Sequence, residues 1–325
     1  MKTVVVLISS LFMAVVSAYA QTAAGDANFK LALPNHPGEL RWSAEGFKVV
    51  QSSAKPNSRE IGIRAQDQRG LTFLALLFLV PEQAPLTSAK CRDGALSPEQ
   101  KSNRTLKILS TSEINRADSV PVAIVNYTSR DRDGKPWYMM RGFMATADIC
   151  GDIEFYEDSP IDPASPQMTK IFESYRFDPN YVPQFNDIFL YAQILYRAGM
   201  YKPSAPIFEQ ALAKLPDDKN QETLRRVITD QAGMAYGISG DVPKARAIFE
   251  AATARDPDYP LYYYNLACAD AQERKLADAR IHLEQAFARK ANIIPGETMP
   301  DPTKDDSFLP YKHNKDFWAF VETLH

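Results

Sequence analysis

The chain is poor in the residues on which metal and phosphate chemistry usually depends. Its 325 residues include four histidines and three cysteines. None of the histidines stands at metal-ligand spacing from a cysteine, a carboxylate or another histidine. A glycine-rich phosphate loop, a nucleophile elbow and a zinc-protease pattern are also missing. We therefore expect no catalytic residues, no bound metal and no cofactor.

The sequence also lacks an excess of positive charge. Lysine and arginine number 37 against 40 aspartates and glutamates, so the formal net charge is -3. Without a basic excess to neutralise phosphates, neither nucleic acid nor an anionic lipid surface is expected as a partner. Beyond residues 1–20, the most apolar stretch, Leu71 to Val80, is only as long as a strand. We expect no stable membrane span.

Residues 1–20 have the pattern of a secretory signal peptide. Lys2 supplies the positive start, Thr3 to Val16 the apolar stretch, and Ala18-Tyr19-Ala20 a cleavage site of small residues. Cleavage after Ala20 leaves residues 21–27 as a short mature tail. The alternative is a membrane anchor, but the apolar stretch is short for a hydrocarbon core of about 30 Å. We expect a secreted or periplasmic protein.

Export changes the interpretation of the three cysteines, because disulfides persist in oxidising compartments. Cys91 and Cys150 both lie in the N-terminal half, whereas Cys268 lies far along the chain. We predict a Cys91–Cys150 disulfide, which closes a loop long enough to stabilise the fold by roughly 4 kcal/mol. Cys268 is then a small packing residue. The rival interpretation is a catalytic thiol, which has no histidine near it in sequence.

Up to about Asp178 the pattern predicts an antiparallel sheet with flanking helices, an α+β domain over residues 28–178. Asp133-Gly134 indicates a tight two-residue hairpin between two of the strands. Helices are predicted to start near Thr87 and to run from about Ala164 to Tyr175. The predicted strands are Phe47–Ser52, Glu60–Ala65, Leu71–Val80, Leu106–Thr111, Val120–Thr128, Trp137–Ala147 and Cys150–Tyr156. This layout resembles the PsbP-like α/β/α sandwich family, whose members serve as accessory or binding modules.

The second half of the chain repeats itself. Phe208, Ala211 and Pro216 recur 41 positions later as Phe249, Ala252 and Pro257, and Ala252 recurs 34 positions later as Ala286. The pattern resembles the tetratricopeptide repeat, a 34-residue helix-turn-helix unit. The resemblance implies an all-α solenoid of three helical pairs over residues 183–290. The longer first interval implies an insertion at Asp217 to Thr223, and the domain boundary is expected between Asp178 and Pro183.

The repeat requires small residues where its two helices cross. Ala192, Gly233 and Ala267 occupy that position in the first helices, and Ala245 and Ala279 do so in the second. Gly199 and Gly240 suit the tight turns within each pair. Asp270 departs from the pattern because it stands at a usually apolar position. Residues 291–325 are expected to form a linker and a capping helix, since an open array must cover its last apolar face.

The family geometry implies a groove lined by the first helix of each pair, where peptides lie against side chains free of the internal core. The groove lacks the lysine-asparagine carboxylate clamp of family members that bind chaperone tails. Phe189 and Gln193 stand at the positions where that clamp needs lysine and asparagine. The alternative is that the first domain or the linker fills it. The predicted groove residues are Asn186, Phe189, Gln193, Tyr196, Arg197, Asp230, Met234, Tyr264 and Cys268.

Together these patterns predict a non-enzymatic scaffold or adaptor that binds another protein or a peptide. The alternatives are a hydrolytic or carbohydrate-active enzyme, or a small-molecule carrier, with its site in the N-terminal domain. Asp152 and Glu154 share one face of a predicted strand. We interpret that face as solvated; a cation site or an acid-base pair is the alternative. An enzyme would require converging carboxylates with strongly shifted pKa values.

Overall fold

The computed structural model describes residues 28–83, 85–116 and 119–324. The predicted signal peptide and the tail at residues 21–27 lie outside these ranges. The described chain divides into two compact units, residues 28–195 and residues 196–324. The division falls later than the position expected from the sequence, inside a helix that follows Pro183. The α+β unit followed by an all-α unit is the fold class that the sequence predicts.

The first unit contains ten strands among the described residues. All neighbouring strands are antiparallel, and they form a seven-stranded sheet of order β3-β4-β5-β9-β8-β7-β6 and a three-stranded sheet of order β1-β2-β10. The small sheet has no counterpart in the sequence prediction. The strands are β1 (Asn28–Ala32), β2 (Glu39–Ser43), β3 (Lys48–Lys55), β4 (Glu60–Gln66), β5 (Thr72–Leu79), β6 (Lys107–Arg116), β7 (Ser119–Arg130), β8 (Pro136–Thr146), β9 (Ile149–Glu157) and β10 (Arg176–Asp178).

The two faces of the large sheet are covered differently. Helix α1 (Ser88–Ser102) packs on β7 and β8 on one face, while the small sheet and α2 (Pro166–Ser174) cover the other. Aromatic rings fill the interface between the large sheet and the small sheet. The ring centroid of Phe73 lies 5.8 Å from the ring centroids of both Trp42 and Phe155. The helices predicted near Thr87 and from Ala164 are thus present. The resemblance to the PsbP-like sandwich implies helices on both faces of the sheet. It is not confirmed, because the layer on this face is partly a sheet.

The predicted cysteine pair lies where α1 meets the sheet. Cys91 on α1 and Cys150 on β9 stand at disulfide distance, with their Cα atoms 6.3 Å apart. The helix needs such a link because it contains Gly94 and Pro98, both poor helix formers. Its N-terminus is capped by Thr87, whose hydroxyl accepts a hydrogen bond from the backbone N–H of Lys90 at 3.2 Å. Cys268 is the free thiol.

One predicted turn differs from the expectation. The β7–β8 connection runs from Asp131 to Lys135, where the Asp131 N–H donates to the Lys135 carbonyl at 3.0 Å. Gly134 has a φ of 79°, but Asp133 is not among the residues of positive φ. The hairpin is therefore longer than the two-residue turn predicted from Asp133-Gly134. The side chain of Asp131 accepts from two backbone N–H groups and stabilises the wider loop.

The helices of the second half follow in pairs. Helix α3 begins the series and its last residues open the second unit. Within that unit each helix from α4 to α8 packs on the next, and α5 also contacts α7. No helix in the described ranges is long and apolar enough to cross a membrane. The helices are α3 (Phe185–Arg197), α4 (Tyr201–Lys214), α5 (Glu222–Ile238), α6 (Val242–Arg255), α7 (Pro260–Gln272), α8 (Leu276–Ala288) and α9 (Lys315–Val321).

The small residues of the repeat lie where the prediction requires them. A Cβ atom on Gly233 of α5 would stand 2.3 Å from the Phe249 ring of α6, so the ring packs directly on the helix backbone. Ala267 and Ala279 are fully buried in the interface of α7 with α8. Gly199 and Gly240, with φ values of 72° and 94°, form the turns within the first two pairs. The predicted repeat of helical pairs is confirmed.

The insertion between the first two pairs is held by two arginines. Arg225 donates to the carbonyl of Pro216 at 2.9 Å, just after the end of α4. Arg255, at the end of α6, binds Asp217 at 2.7 Å. These contacts attach the segment that follows α4 to both helices of the second pair, α5 and α6.

Helix α3 has polar contacts of its own within the first unit. The Tyr191 hydroxyl donates to the carbonyl of Glu60 at 3.0 Å. Asp187 binds Lys30 at 2.8 Å and accepts from the Tyr181 hydroxyl at 2.6 Å. Residues 185–195 of α3 are therefore tied to the strands of the first unit, to which the division of the chain assigns them.

We predict that Gly233→Ala destabilises the protein although alanine favours helix. Overpacking against Phe249 costs about 1–3 kcal/mol, which outweighs a helix-propensity gain of about 1 kcal/mol. Gly237→Ala on the same helix is the matched control, because its added Cβ would lie at an ordinary 3.7 Å from Ala245. Urea unfolding followed by circular dichroism at 222 nm compares the two. Equal midpoints for both variants contradict the proposed packing.

Candidate functional site

The nine predicted groove residues divide between the two units. Asn186, Phe189 and Gln193 belong to the first unit, and the other six belong to the second. Asn186 is exposed, whereas Phe189 and Gln193 are each 2% exposed. The Phe189 ring stacks on Phe185 with centroids 5.6 Å apart. The expectation that Phe189 is free of the interior is therefore wrong.

In the second unit, the chain itself buries Tyr264 and partly covers Cys268 on α7. The covering segment, residues 294–311, follows α8 and is called the strap here. Tyr264 is 2% exposed and belongs to a core cluster with Phe308 of the strap and Phe317 of α9. The expectation that Tyr264 lies outside the internal core is also wrong. At α7 the structure agrees with the alternative expectation, because the segment that follows α8 covers Tyr264.

The strap runs along α7 in the direction of the helix. Near its start, Glu297 accepts a hydrogen bond from the Tyr259 hydroxyl at 2.9 Å. Further on, Asp305 accepts from the Tyr264 hydroxyl at 3.0 Å and lies 3.9 Å from the Cys268 sulfur. At its end the Tyr311 hydroxyl donates to the carbonyl of Ala271 at 2.6 Å. Three tyrosine hydroxyls thus fix the strap to α7.

The chemistry of Cys268 follows from this cover. Burial, and the neighbouring Asp305 carboxylate, raise the pKa of the Cys268 thiol well above its usual value. Because the thiolate is the reactive form of cysteine, the raised pKa lowers the reactivity of the Cys268 thiol, which is partly exposed. The packing role predicted for Cys268 agrees with this geometry, and a catalytic thiol does not.

Of the other predicted groove residues of the second unit, Tyr196 is buried and three remain at least partly accessible. Arg197 is exposed, Asp230 and Met234 are partly buried, and the Tyr196 hydroxyl lies 3.9 Å from the Met234 sulfur. Asp230 accepts a hydrogen bond from Asn265 at 2.6 Å. Burial, assisted by the charge of Glu297, raises the pKa of Asp230 to about 7. We call Arg197, Asp230 and Met234 the open patch.

Asp270, the departure from the repeat pattern, is compensated by charge. Its carboxylate is 1% exposed and binds Arg246 of α6 and His282 of α8, each at 2.6 Å. Burial opposes ionisation of Asp270, but the bonds to His282 and Arg246 outweigh it and lower its pKa. His282 therefore does not stand on a solvated side of its helix. The three groups join α6, α7 and α8.

The first unit holds an ionic cluster that includes Asp152 and Glu154, the two carboxylates of the predicted solvated face. Arg141 on β8 forms a buried ion pair with Asp152 on β9, and Asp152 is only 1% exposed. Arg141 also binds Glu99 of α1 at 2.8 Å and Glu154 of β9 at 3.4 Å. The Tyr127 hydroxyl donates to Glu99 at 2.8 Å. The solvated interpretation of Asp152 is wrong, because α1 and the sheet enclose it.

Burial and mutual repulsion of the carboxylates around the Arg141 guanidinium change the pKa values of Asp152 and Glu154. Burial, and then the charge of Asp152, raise the pKa of Glu154 to about 7. Burial raises the pKa of Asp152 as well, although Arg141 opposes that rise. The cluster attaches the C-terminal half of α1 to the sheet, as the cysteine pair does for the N-terminal half. In the described ranges, no group of three or more histidines, cysteines and carboxylates is arranged to hold a metal ion.

Comparison with known proteins gives distant likenesses. No protein-family model and no curated protein matches the chain. PcrH from Pseudomonas aeruginosa is 14% identical over 43% of this chain and 90% of its own, with a TM-score of 0.30. The Sgt2 TPR domain from Aspergillus fumigatus is 19% identical over 44% and 77%, with a TM-score of 0.31. MamA from Desulfovibrio magneticus is 14% identical over 43% and 73%, with a TM-score of 0.33. The helical pairs are therefore assigned from this chain's own geometry.

We predict that Glu154 makes the first unit less stable as pH rises. Its folded pKa of about 7 lies above the ordinary 4.5, so the folded state binds more protons between those values and stability falls through that window. Glu154→Gln mimics the protonated form and should raise the free energy of unfolding at pH 8 by roughly 2–3 kcal/mol, with little effect at pH 4.5.

The measurement is urea unfolding at both pH values in a Trp318→Phe background, where fluorescence reports Trp42 and Trp137 of the first unit. Glu113→Gln, at an exposed position on β6, is the matched control. A pH dependence that is the same in Glu154→Gln as in the parent protein contradicts the assignment.

Proposed function

We propose that the protein is an exported, non-enzymatic adaptor that binds another protein through its helical pairs. The observation that carries the proposal is the strap. An extended segment already lies along α7, bound by the Tyr259 and Tyr264 hydroxyls and by the packing of Phe308. A surface that binds one extended segment through side chains has the chemistry to bind a partner's segment.

The open patch is the part of this side that we propose as the first contact for the partner. Arg197 is exposed and takes part in no ion pair with the described residues. Met234, whose sulfur lies 3.9 Å from the Tyr196 hydroxyl, offers an adaptable thioether. Asp230 adds a carboxylate that is held in place by Asn265. These three side chains, one positive, one apolar and one acidic, would favour a mixed polar and apolar peptide over a uniformly charged one.

Export is supported by two observations. The pattern of residues 1–20 is that of a cleaved leader, and Cys91 and Cys150 stand at disulfide distance. Disulfides persist in secreted and periplasmic proteins and are rare in the cytosol. We therefore place the partner outside the cytoplasm.

A second candidate, an enzyme with its site in the first unit, has one observation in its favour. Glu154 has a pKa of about 7 and a side chain that is 22% exposed, as a general acid or base requires. Against it, Glu99, Asp152 and Glu154 all bind the same Arg141, an arrangement that holds α1 to the sheet. A structural role therefore accounts for these carboxylates without a reaction.

We predict that Arg197→Glu removes the partner while Lys214→Glu does not. Both residues are exposed near helix ends and undergo the same change of charge, but Lys214 at the end of α4 lies outside the open patch. The measurement is cross-linking in the producing cells, followed by purification of the tagged full-length protein under denaturing conditions. If both variants capture the same proteins as the wild type, the open patch is not the binding surface.

A further inference from the structure

The strap is attached to α7 at a few separated points. Ile294, Pro302 and Phe308 are buried, and the residues between them include the exposed Thr298, Lys304 and Asp306. Its one regular element is a single 3-10 turn at Leu309–Tyr311. A segment with few buried contacts and little regular structure can detach locally while the helices behind it stay folded.

The surface beneath the strap selects a defined chemistry. Tyr259 and Tyr264 offer neutral hydroxyl donors, and each donates to a carboxylate of the strap. The Phe308 ring meets the edge of Tyr264 with centroids 6.0 Å apart and also lies 6.1 Å from the ring of Phe317. Two carboxylate sites are therefore followed by an aromatic site along α7.

From these contacts we infer that the strap is a self-supplied ligand, which opens in the folded protein and leaves its surface on α7 to an acidic segment of the partner that ends in an aromatic residue. This inference rests on the proposed adaptor function. In the strap the two carboxylates are eight positions apart, Glu297 and Asp305, and the aromatic residue, Phe308, follows three positions later. The partner's segment is expected to reproduce that order.

The donors also set the salt dependence of this exchange. Because tyrosine hydroxyls carry no charge, Asp305 is recognised by a hydrogen bond and Phe308 by ring packing. Glu297 also lies within the electric field of Arg226. Screening by salt weakens interactions between charges and leaves the hydrogen bond and the ring packing nearly unchanged. Binding of the acidic segment should therefore vary less with salt concentration than recognition by lysine or arginine alone.

Cys268 reports the opening directly. It is the free cysteine of the chain, and its sulfur lies 3.9 Å from Asp305 of the strap. Opening removes both the cover and the neighbouring carboxylate, so the thiol becomes reactive to a soluble reagent such as dithiobis-nitrobenzoate. Because Cys268 is partly exposed with the strap in place, a change in the labelling rate of the folded, full-length protein reports a change in how often the strap is open.

The experiment compares Tyr264→Phe with Tyr263→Phe. Tyr264→Phe removes one donor to the strap and keeps the charge of Asp305 beside the thiol, and it should speed labelling of Cys268 about tenfold, the effect of losing one hydrogen bond to a charged group. Tyr263→Phe is the matched control, because the Tyr263 hydroxyl donates to the carbonyl of Pro257, away from the strap. A synthetic peptide of residues 297–309 should slow labelling of Tyr264→Phe, and the same peptide with Asp305→Asn and Phe308→Ala should not.

Three results would overturn the inference. The first is a wild-type labelling rate that rises with urea as steeply as global unfolding, since local opening exposes little surface. The second is equal labelling of the two tyrosine variants. The third is protection that grows with protein concentration in the absence of peptide, which would make a second copy the occupant. All measurements use the purified chain, so they fail or succeed independently of the partner experiment on Arg197.

Discussion

The second unit depends on a glycine at the point where α5 and α6 cross. Phe249 packs against the backbone of α5 because Gly233 has no Cβ, and the ring then reaches Tyr262 of α7 at 6.3 Å between centroids. Tyr259, Tyr262 and Ile294 complete the same cluster. The position of α7, and with it the surface that binds the strap, is therefore set by how closely α5 and α6 approach each other.

Features that follow from local periodicity were predictable from the sequence. The seven strands of the large sheet, the helices after Thr87 and Ala164, the repeat turns at Gly199 and Gly240 and the small residues at helix crossings all lie where the pattern indicates. The small sheet was missed because β10 has only three residues and pairs with β2, far away in sequence. The strap was missed as an occupant of α7 because an irregular segment has no period, and of the predicted groove residues Tyr264 and Cys268 lie beneath it.

The ionic cluster shows where sequence reasoning about a site ends. Counting back from the β8–β9 turn places Arg141 opposite Glu154, as the register of the two strands confirms, so that pair was open to prediction. The burial of Asp152 was not, since it depends on α1 crossing this part of the sheet and on Glu99 reaching Arg141 from that helix. The sequence of one strand shows which residues share a face, but it does not show whether another element covers that face.

The bonds from Asp270 to Arg246 and His282 favour one order of the second and third helical pairs along the chain. The third pair can dock only behind a helix that carries an arginine at the position of Arg246, and the corresponding position of α4, 41 residues earlier, is Ala205. If recombination removed the middle pair, Asp270 would face that alanine and keep only His282 as a partner, and losing one partner of a buried charge costs several kcal/mol. Evolution can therefore lengthen or replace this array at its ends more easily than at its centre, despite its repetitive sequence.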